Sequence, residues 1–333
     1  MALRLRRPVL SASMDTDPKG GTTGTVAVLG ATGSVGRAVC AALLPAGRRV
    51  LAVARHPASH TRAHAFVPLD VAAVAPGRLA ALLDAHGVTE VVNATGGWGT
   101  TAEKMRSAHV DLPERLAAGC AATGRRLRVV QLGSIHEYGP VEDGVLINEH
   151  RAPGSLTPYG ATKRAGSEHL LAESRAGRID ALVLRAVNVC GPHTTTASFL
   201  GLVVQRLRAL APGAALTLDV AAARRDFLDV RDLARAAVAA LTAPGPSWVV
   251  NIGRGEAVPV ADLVDVLVKV SGVDPATVRL RPAAVASKGG SWTCADIGLA
   301  ADLLGWRPMI PLDASLRAMW EAAGDVKPPG GTG

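Results

Sequence analysis

Short apolar runs punctuate the first half of the chain: "TVAVLG", "RRVLAVAR", "AFVPLD", "VTEVVNAT", "LRVVQLGS" and "IDALVLRAV". Runs of this length, bounded by polar or turn-forming residues, predict strands buried on both faces. Between most of them lie Ala- and Leu-rich stretches such as "RLAALLDAHG" and "DLPERLAAGCAATG", each closed by a Gly suited to a helix C-terminus. The alternation predicts an α/β fold with a Rossmann-type, doubly wound parallel sheet. After about residue 186 the rhythm loosens, and "CGPHTTTASFL", "APGAALTLDVAAARRDFLDV" and "RPAAVASKGGSWTC" read as loops and short strands around helices. A smaller mixed C-terminal region is expected there. "DFLDVRDLARAAVAAL" followed by "WVVNIG" again reads strand, helix, strand, so segments near 227–252 are expected to return to the sheet.

The first run breaks into "GATGSVG", where Gly30, Gly33 and Gly36 follow a strand and open a helix. Without side chains the backbone turns sharply and approaches a pyrophosphate, whose charge the helix N-terminus stabilises. The pattern predicts a dinucleotide site; the alternative is three glycines serving only tight helix–strand packing. An acidic residue ending the second strand would bind an adenosine ribose. Here the strand ends in Arg55, followed by His56. A guanidinium pairs with a 2′-phosphate, which favours NADP(H) over NAD(H); its other role is stacking on adenine. Asp70, closing the third strand, is placed either to meet the adenine amino group or to cap a helix. The candidate cofactor contacts are Gly30, Thr32, Gly33, Ser34, Val35, Gly36, Arg55, Asp70, Val71, Asn93 and Ala94, together with Tyr159 and Lys163.

Ser134 ends the strand "LRVVQLGS", at the carboxyl edge where ligands of open parallel sheets lie. In "YGATK", Tyr159 and Lys163 stand four residues apart and share one helix face. A phenol alone is a poor acid or base at neutral pH, and a neighbouring ammonium is expected to bring Tyr159 toward the working range. Tyr159 then exchanges a proton with a carbonyl or hydroxyl oxygen as hydride moves, Ser134 holds that oxygen, and Lys163 also reaches the nicotinamide ribose. The alternative is a surface Tyr and Lys paired by chance.

With "SIHEYG" before "YGATK", "RAVNVCGP", "RRDFLDVRDLA", "VNIGRGE" and "ADIGLAADLLGWRP", the chain resembles the extended short-chain dehydrogenases/reductases over about residues 25–320. The closer resemblance is to their NAD(P)-dependent epimerase/dehydratase family, which acts on nucleotide sugars. It implies that Asn188 and Arg225 line the nucleotide-sugar side, Arg225 meeting a diphosphate, and that Asn93 lies under the cofactor. For Arg225 the alternative is a surface charge beside Asp226. The 4,6-dehydratases of the family follow the Ser/Thr position with an Asp-Glu pair. Ile135 and His136 occupy those places here, and Glu137, shifted by one, is expected to face the opposite side of a continuing strand. Sugar dehydration is therefore disfavoured. His109 replaces a usual Asn, and two roles are open to it: positioning or protonating a keto sugar, or packing a helix. Trp98, in "TGGWGTT", packs on a sugar ring or anchors its loop.

The resemblance and Arg55 together point to NADPH-dependent reduction of a C4 keto group on a dTDP-4-keto-6-deoxyhexose, with nucleotide-sugar epimerisation as the second reading and NADPH sensing without turnover as the third. It also implies a homodimer. The expected organisation is a disordered tail at 1–23, an NADP-binding domain at 24–186, a substrate-binding region at 187–226 and 253–325, and a disordered tail at 326–333.

Composition changes this picture little. The formal charge is +8, but 30 of the 36 basic residues are Arg, scattered in short groups, and aromatics make up 3%. A nucleic-acid reader would cluster its charge and interleave it with aromatics, so no nucleic-acid partner is expected. Small acidic substrates suit the charge better. No apolar stretch reaches the roughly 18 residues of a membrane span. Four dispersed cysteines fit no zinc or redox motif and suit a reduced cytoplasm. His56, His60 and His64 recur every four residues, but Pro57 and the loop context argue against a metal, and none is expected.

Overall fold

Successive residues of the first apolar run pack on opposite faces of a sheet: Val26 and Val28 join one buried cluster, Ala27 and Leu29 another. Both faces are covered by helices, so neither side of the strand tolerates polar residues, as the continuous apolar runs predict. The computed structural model describes residues 24–97, 101–155, 157–245, 247–283 and 290–324. The tails expected at 1–23 and 326–333, and Trp98, lie outside the described residues.

The chain alternates through β1 (Thr25–Leu29), α1 (Ser34–Leu43), β2 (Arg49–Ala54), β3 (Ala65–Pro68), α2 (Pro76–Ala85), β4 (Val88–Asn93), α3 (Ala102–Arg106), α4 (Leu112–Ala122), β5 (Arg128–Ser134), α5 (Pro158–Arg175) and β6 (Asp180–Ala186). A wide π turn, Ser107–Asp111, joins α3 to α4, and a single 3₁₀ turn, Ile135–Tyr138, follows β5. Then come β7 (Asn188–Cys190), α6 (Phe199–Arg208), β8 (Leu216–Ala221), β9 (Arg224–Asp229), α7 (Val230–Ala240), β10 (Trp248–Ile252), β11 (Ala257–Pro259), α8 (Val260–Ser271), β12 (Val278–Ala283), β13 (Trp292–Thr293), α9 (Gly298–Leu304) and α10 (Leu312–Gly324).

Among the described residues, seven parallel strands form the Rossmann-type sheet in the order β10-β6-β5-β4-β1-β2-β3. From β1 the chain builds outward to β2 and β3, then crosses back to β4 and builds the other way. The reversal opens a crevice beyond the carboxyl ends of β1 and β4. Gly30, Ala94 and Ser134 stand at that edge.

Within the 227–252 stretch, β10 pairs with β6 in the main sheet, whereas β9 does not join it. The expectation for "DFLD" is corrected: β9 pairs instead with β7, β11 and β13. Its polar side chains explain the choice. The buried Asp226 carboxylate accepts backbone N–H groups of Arg254, Gly255 and Ala295, partners that only the later chain supplies. A third core of α6, α8, α10 and β8 residues, including Leu200, Val264 and Leu316, consolidates this C-terminal region.

Candidate active site

The glycine turn has the geometry a pyrophosphate requires. Gly30 has φ +74°, and its N–H donates to the Val53 carbonyl at 2.9 Å, binding the turn to β2. A Cβ at Gly36 would lie 2.1 Å from the Gly30 carbonyl oxygen, so α1 touches the turn backbone to backbone. No side chain caps the N-terminus of α1 and no acid stands in its first turn, where Ser34, Val35 and Gly36 present their amides. These residues fit a dinucleotide phosphate. Thr32 is half-buried in the turn, and Arg55 is exposed just beyond β2. Asp70 is exposed, and its Oδ1 accepts the Ala72 N–H at 3.1 Å within the turn after β3; it caps no helix, since α2 begins at Pro76 with Ala75 at its N-cap. The Val71 side chain is spent in the core with Ala27 and Leu29, so any cofactor contact there falls to its backbone. Asn93 is buried beneath the crevice; it donates to Gln131 Oε1 and accepts from the Thr95 hydroxyl, fixing the chain after β4.

At the end of β5, the Ser134 hydroxyl is hydrogen-bonded to the Tyr159 side chain. Tyr159 opens α5, whose first turn is capped by the Thr157 hydroxyl accepting the Gly160 N–H at 3.2 Å and carries Pro158 at a position that favours helix starts. One turn on, Lys163 Nζ donates to the Leu132 carbonyl at 3.0 Å and is buried. The three candidate catalytic side chains thus converge.

Their electrostatics correct one expectation. Burial pushes the Tyr159 phenol up to about 12; the Ser134 hydrogen bond opposes this and the Glu137 carboxylate adds to it. The ammonium four residues on does not bring the phenol toward neutrality, because burying a phenolate costs more than its neighbours return. Lys163 is itself drawn down to about 8 by burial, against the pull of Glu137.

Glu137 overturns a second expectation. The chain does not continue as a strand but turns at Ser134, and in that turn the carboxylate is fully buried beneath the site. It accepts from the Ser134 backbone N–H at 2.9 Å and the Ser167 hydroxyl at 3.1 Å, and pairs with Arg185 Nε at 2.8 Å. Ser-x-x-Glu is a capping-box signature, which is the signal in "SIHE" that strand periodicity hides. Arg185, inside an apolar run, likewise signals a buried partner.

His109 sits in the π turn, edge-on to the Tyr159 ring with centroids 5.2 Å apart. Nδ1 contacts the Thr162 hydroxyl at 2.9 Å and Nε2 the Gly96 and Gly97 carbonyls at 3.1 and 3.2 Å. Burial, then Lys163, draws its pKa down to about 4, so the ring is neutral and donates from Nε2. These contacts hold α5 against the Gly96–Gly97 backbone and engage both ring nitrogens. His136 is buried with its ring 6.1 Å from that of Tyr159. Asn188, on β7, donates to the Asp226 carbonyl at 3.2 Å. Arg225 is buried and donates to the Gly290 carbonyl at 2.5 Å, so it is not a surface charge. His60 Nε2 donates to the Ala31 carbonyl at 3.1 Å, pinning the loop after β2 to the glycine turn.

Comparison with known proteins bears on what this geometry does. The model of the NAD dependent epimerase/dehydratase family matches residues 26–253. The dTDP-6-deoxy-L-talose 4-dehydrogenase (NAD(P)(+)) of Kitasatospora kifunensis is 36% identical over 301 residues, covering 89% of this chain and 95% of that protein. The GDP-6-deoxy-D-mannose reductase of Pseudomonas aeruginosa is 28% identical over 201 residues, 56% of this chain and 63% of that one. Among solved structures, MoeE5 in complex with UDP-glucuronic acid and NAD superimposes with a TM-score of 0.79 at 27% identity, over 90% of this chain and 99% of that one.

Proposed function

Since the chain belongs to the NAD dependent epimerase/dehydratase family, we propose that it reduces the C4 keto group of a nucleotide-activated 4-keto-6-deoxyhexose, a dTDP sugar, using NADPH. The observation that carries this reading is the hydrogen bond between the Ser134 and Tyr159 side chains at the carboxyl edge of the sheet. The Kitasatospora relative supports the substrate class, because a sugar 4-dehydrogenase and a C4 ketoreductase run one reaction in opposite directions.

When bound, the dinucleotide supplies hydride transfer to the carbonyl carbon; the α1 N-terminus and the glycine turn would hold its phosphates and Arg55 the 2′-phosphate. Tyr159 donates its proton to the carbonyl oxygen, and Ser134 holds that oxygen by a hydrogen bond. A phenol pushed up to about 12 carries this proton throughout the neutral range. Lys163 holds the nicotinamide ribose and places positive charge behind Tyr159. Arg225 meets the diphosphate, and Asn188 and His136 flank the sugar. Elimination of water lacks its acid: Ile135, where a dehydratase carries Asp, is packed in the core.

The test is to incubate the purified protein with a dTDP-4-keto-6-deoxyhexose and NADPH or NADH, following nicotinamide absorbance and identifying the product. Consumption of NADPH with formation of a C4 alcohol is expected. An isomer formed without net cofactor change would assign the chain as an epimerase, and no product with either cofactor would overturn the reading.

A further inference from the structure

A buried carboxylate lies directly behind the reacting groups. Glu137 is wholly shielded from solvent and Arg185 nearly so, so this ion pair is screened by water and salt far less than a surface pair. The carboxylate is gripped from three elements: by the Ser134 backbone N–H at the end of β5, by Ser167 on α5 and by Arg185 on β6. Lys163 and Tyr159 on α5 also feel its charge. Arg185 is held in turn with its guanidinium 4.4 Å from the Tyr138 ring centroid, and Tyr138 donates to Asn251 Oδ1 at 3.0 Å.

We infer that Glu137 is a positioning residue: its buried carboxylate is the counter-charge that keeps the site proton-loaded, with Lys163 as an ammonium and Tyr159 as a phenol. Both effects have the same sign. A negative charge favours the protonated state of each neighbour, so it extends upward the pH range over which Tyr159 has a proton to give and Lys163 a charge to offer. Other groups face the pair too. The His109 and His136 rings lie edge-on to Tyr159, and His109 is neutral because burial draws it down to about 4. Arg185 pairs with the carboxylate at 2.8 Å and fixes its position. The inference rests on carbonyl reduction only for the use made of the proton; the protonation states themselves do not depend on the substrate.

The test reads Lys163 directly. The chain has six lysines, so the full-length protein labelled with [13Cε]-lysine gives a spectrum in which Lys163 is assigned from the signal that Lys163→Met removes. In the wild type Lys163, drawn down by burial, is expected to titrate at about 8. In Glu137→Gln its midpoint is expected to fall by about one unit. Because that variant leaves Arg185 buried without a counter-charge, the paired variant Glu137→Leu/Arg185→Met is measured alongside it. Removing both charges at similar volume preserves the packing, and the midpoint is expected to fall by about half a unit or more. The high-pH limb of kcat/KM for ketone reduction moves down with it. A Lys163 midpoint unchanged or raised in the folded variants overturns the inference and assigns Glu137 to packing alone. A shifted midpoint in a protein that turns over no ketosugar would uphold this inference and reject the proposed substrate.

Discussion

A Cβ at Gly166 would stand 1.9 Å from the His109 carbonyl oxygen, so α5 and the π turn meet backbone to backbone. Gly160 makes the same kind of approach to the His136 carbonyl, at 2.4 Å. The helix bearing Tyr159 and Lys163 is therefore seated by two absent side chains. Gly166→Ala must push α5 or the π turn away, and a displacement of about 1 Å at reacting groups costs about 100-fold in rate. Turnover is expected to fall on that scale, with a lowered melting temperature, both measured on one preparation.

Tyr159→Phe keeps the ring against His109 and His136 but removes the proton donor. Turnover should fall by about two to four orders of magnitude while dinucleotide affinity, measured by fluorescence titration, changes little. Near-normal turnover would remove Tyr159 from the chemistry.

Lys163 links pH to two observables. Burial lowers its folded value from 10.5 to about 8, so between those pH values the unfolded chain binds the extra proton and folding stability from this group rises with pH. Below about pH 8 the folded protein holds an ammonium it has buried, and that contribution is absent. Dinucleotide affinity should run the other way, weakening severalfold as pH rises through about 8 and the ammonium proposed to hold the ribose is lost. Binding isotherms and denaturant midpoints across this range separate the two trends; affinity independent of pH would remove Lys163 from the ribose.

Arg55 is exposed at the end of β2, where it is free to meet a 2′-phosphate. Arg55→Ala is expected to weaken NADPH by about tenfold or more, the scale of a charge-assisted hydrogen bond, and to spare NADH. Equal losses for both cofactors, by steady-state kinetics, would leave Arg55 stacking on adenine.

Local pattern carried much of this protein. The apolar runs marked all seven strands of the main sheet because a strand covered on both faces admits almost no polar residue. The Gly30-Gly33-Gly36 spacing and the Tyr159–Lys163 spacing encode contacts within one turn and one helix, and such contacts are written in consecutive residues. "RRDFLDV" was legible as a strand but not as a member of the small sheet, since its partners at 254–255 and 295 are distant in sequence.

The sequence by itself determined the strands of the main sheet, the glycine turn and the candidate groups Ser134, Tyr159 and Lys163, because each follows from periodicity and short spacing. Only the tertiary structure decided their electrical state. Whether Tyr159 is a phenol, His109 neutral and Glu137 a buried counter-charge depends on which atoms displace water around them, and those atoms come from β5, α5, β6 and the π turn, segments that burial and hydrogen bonding bring together only in the folded chain.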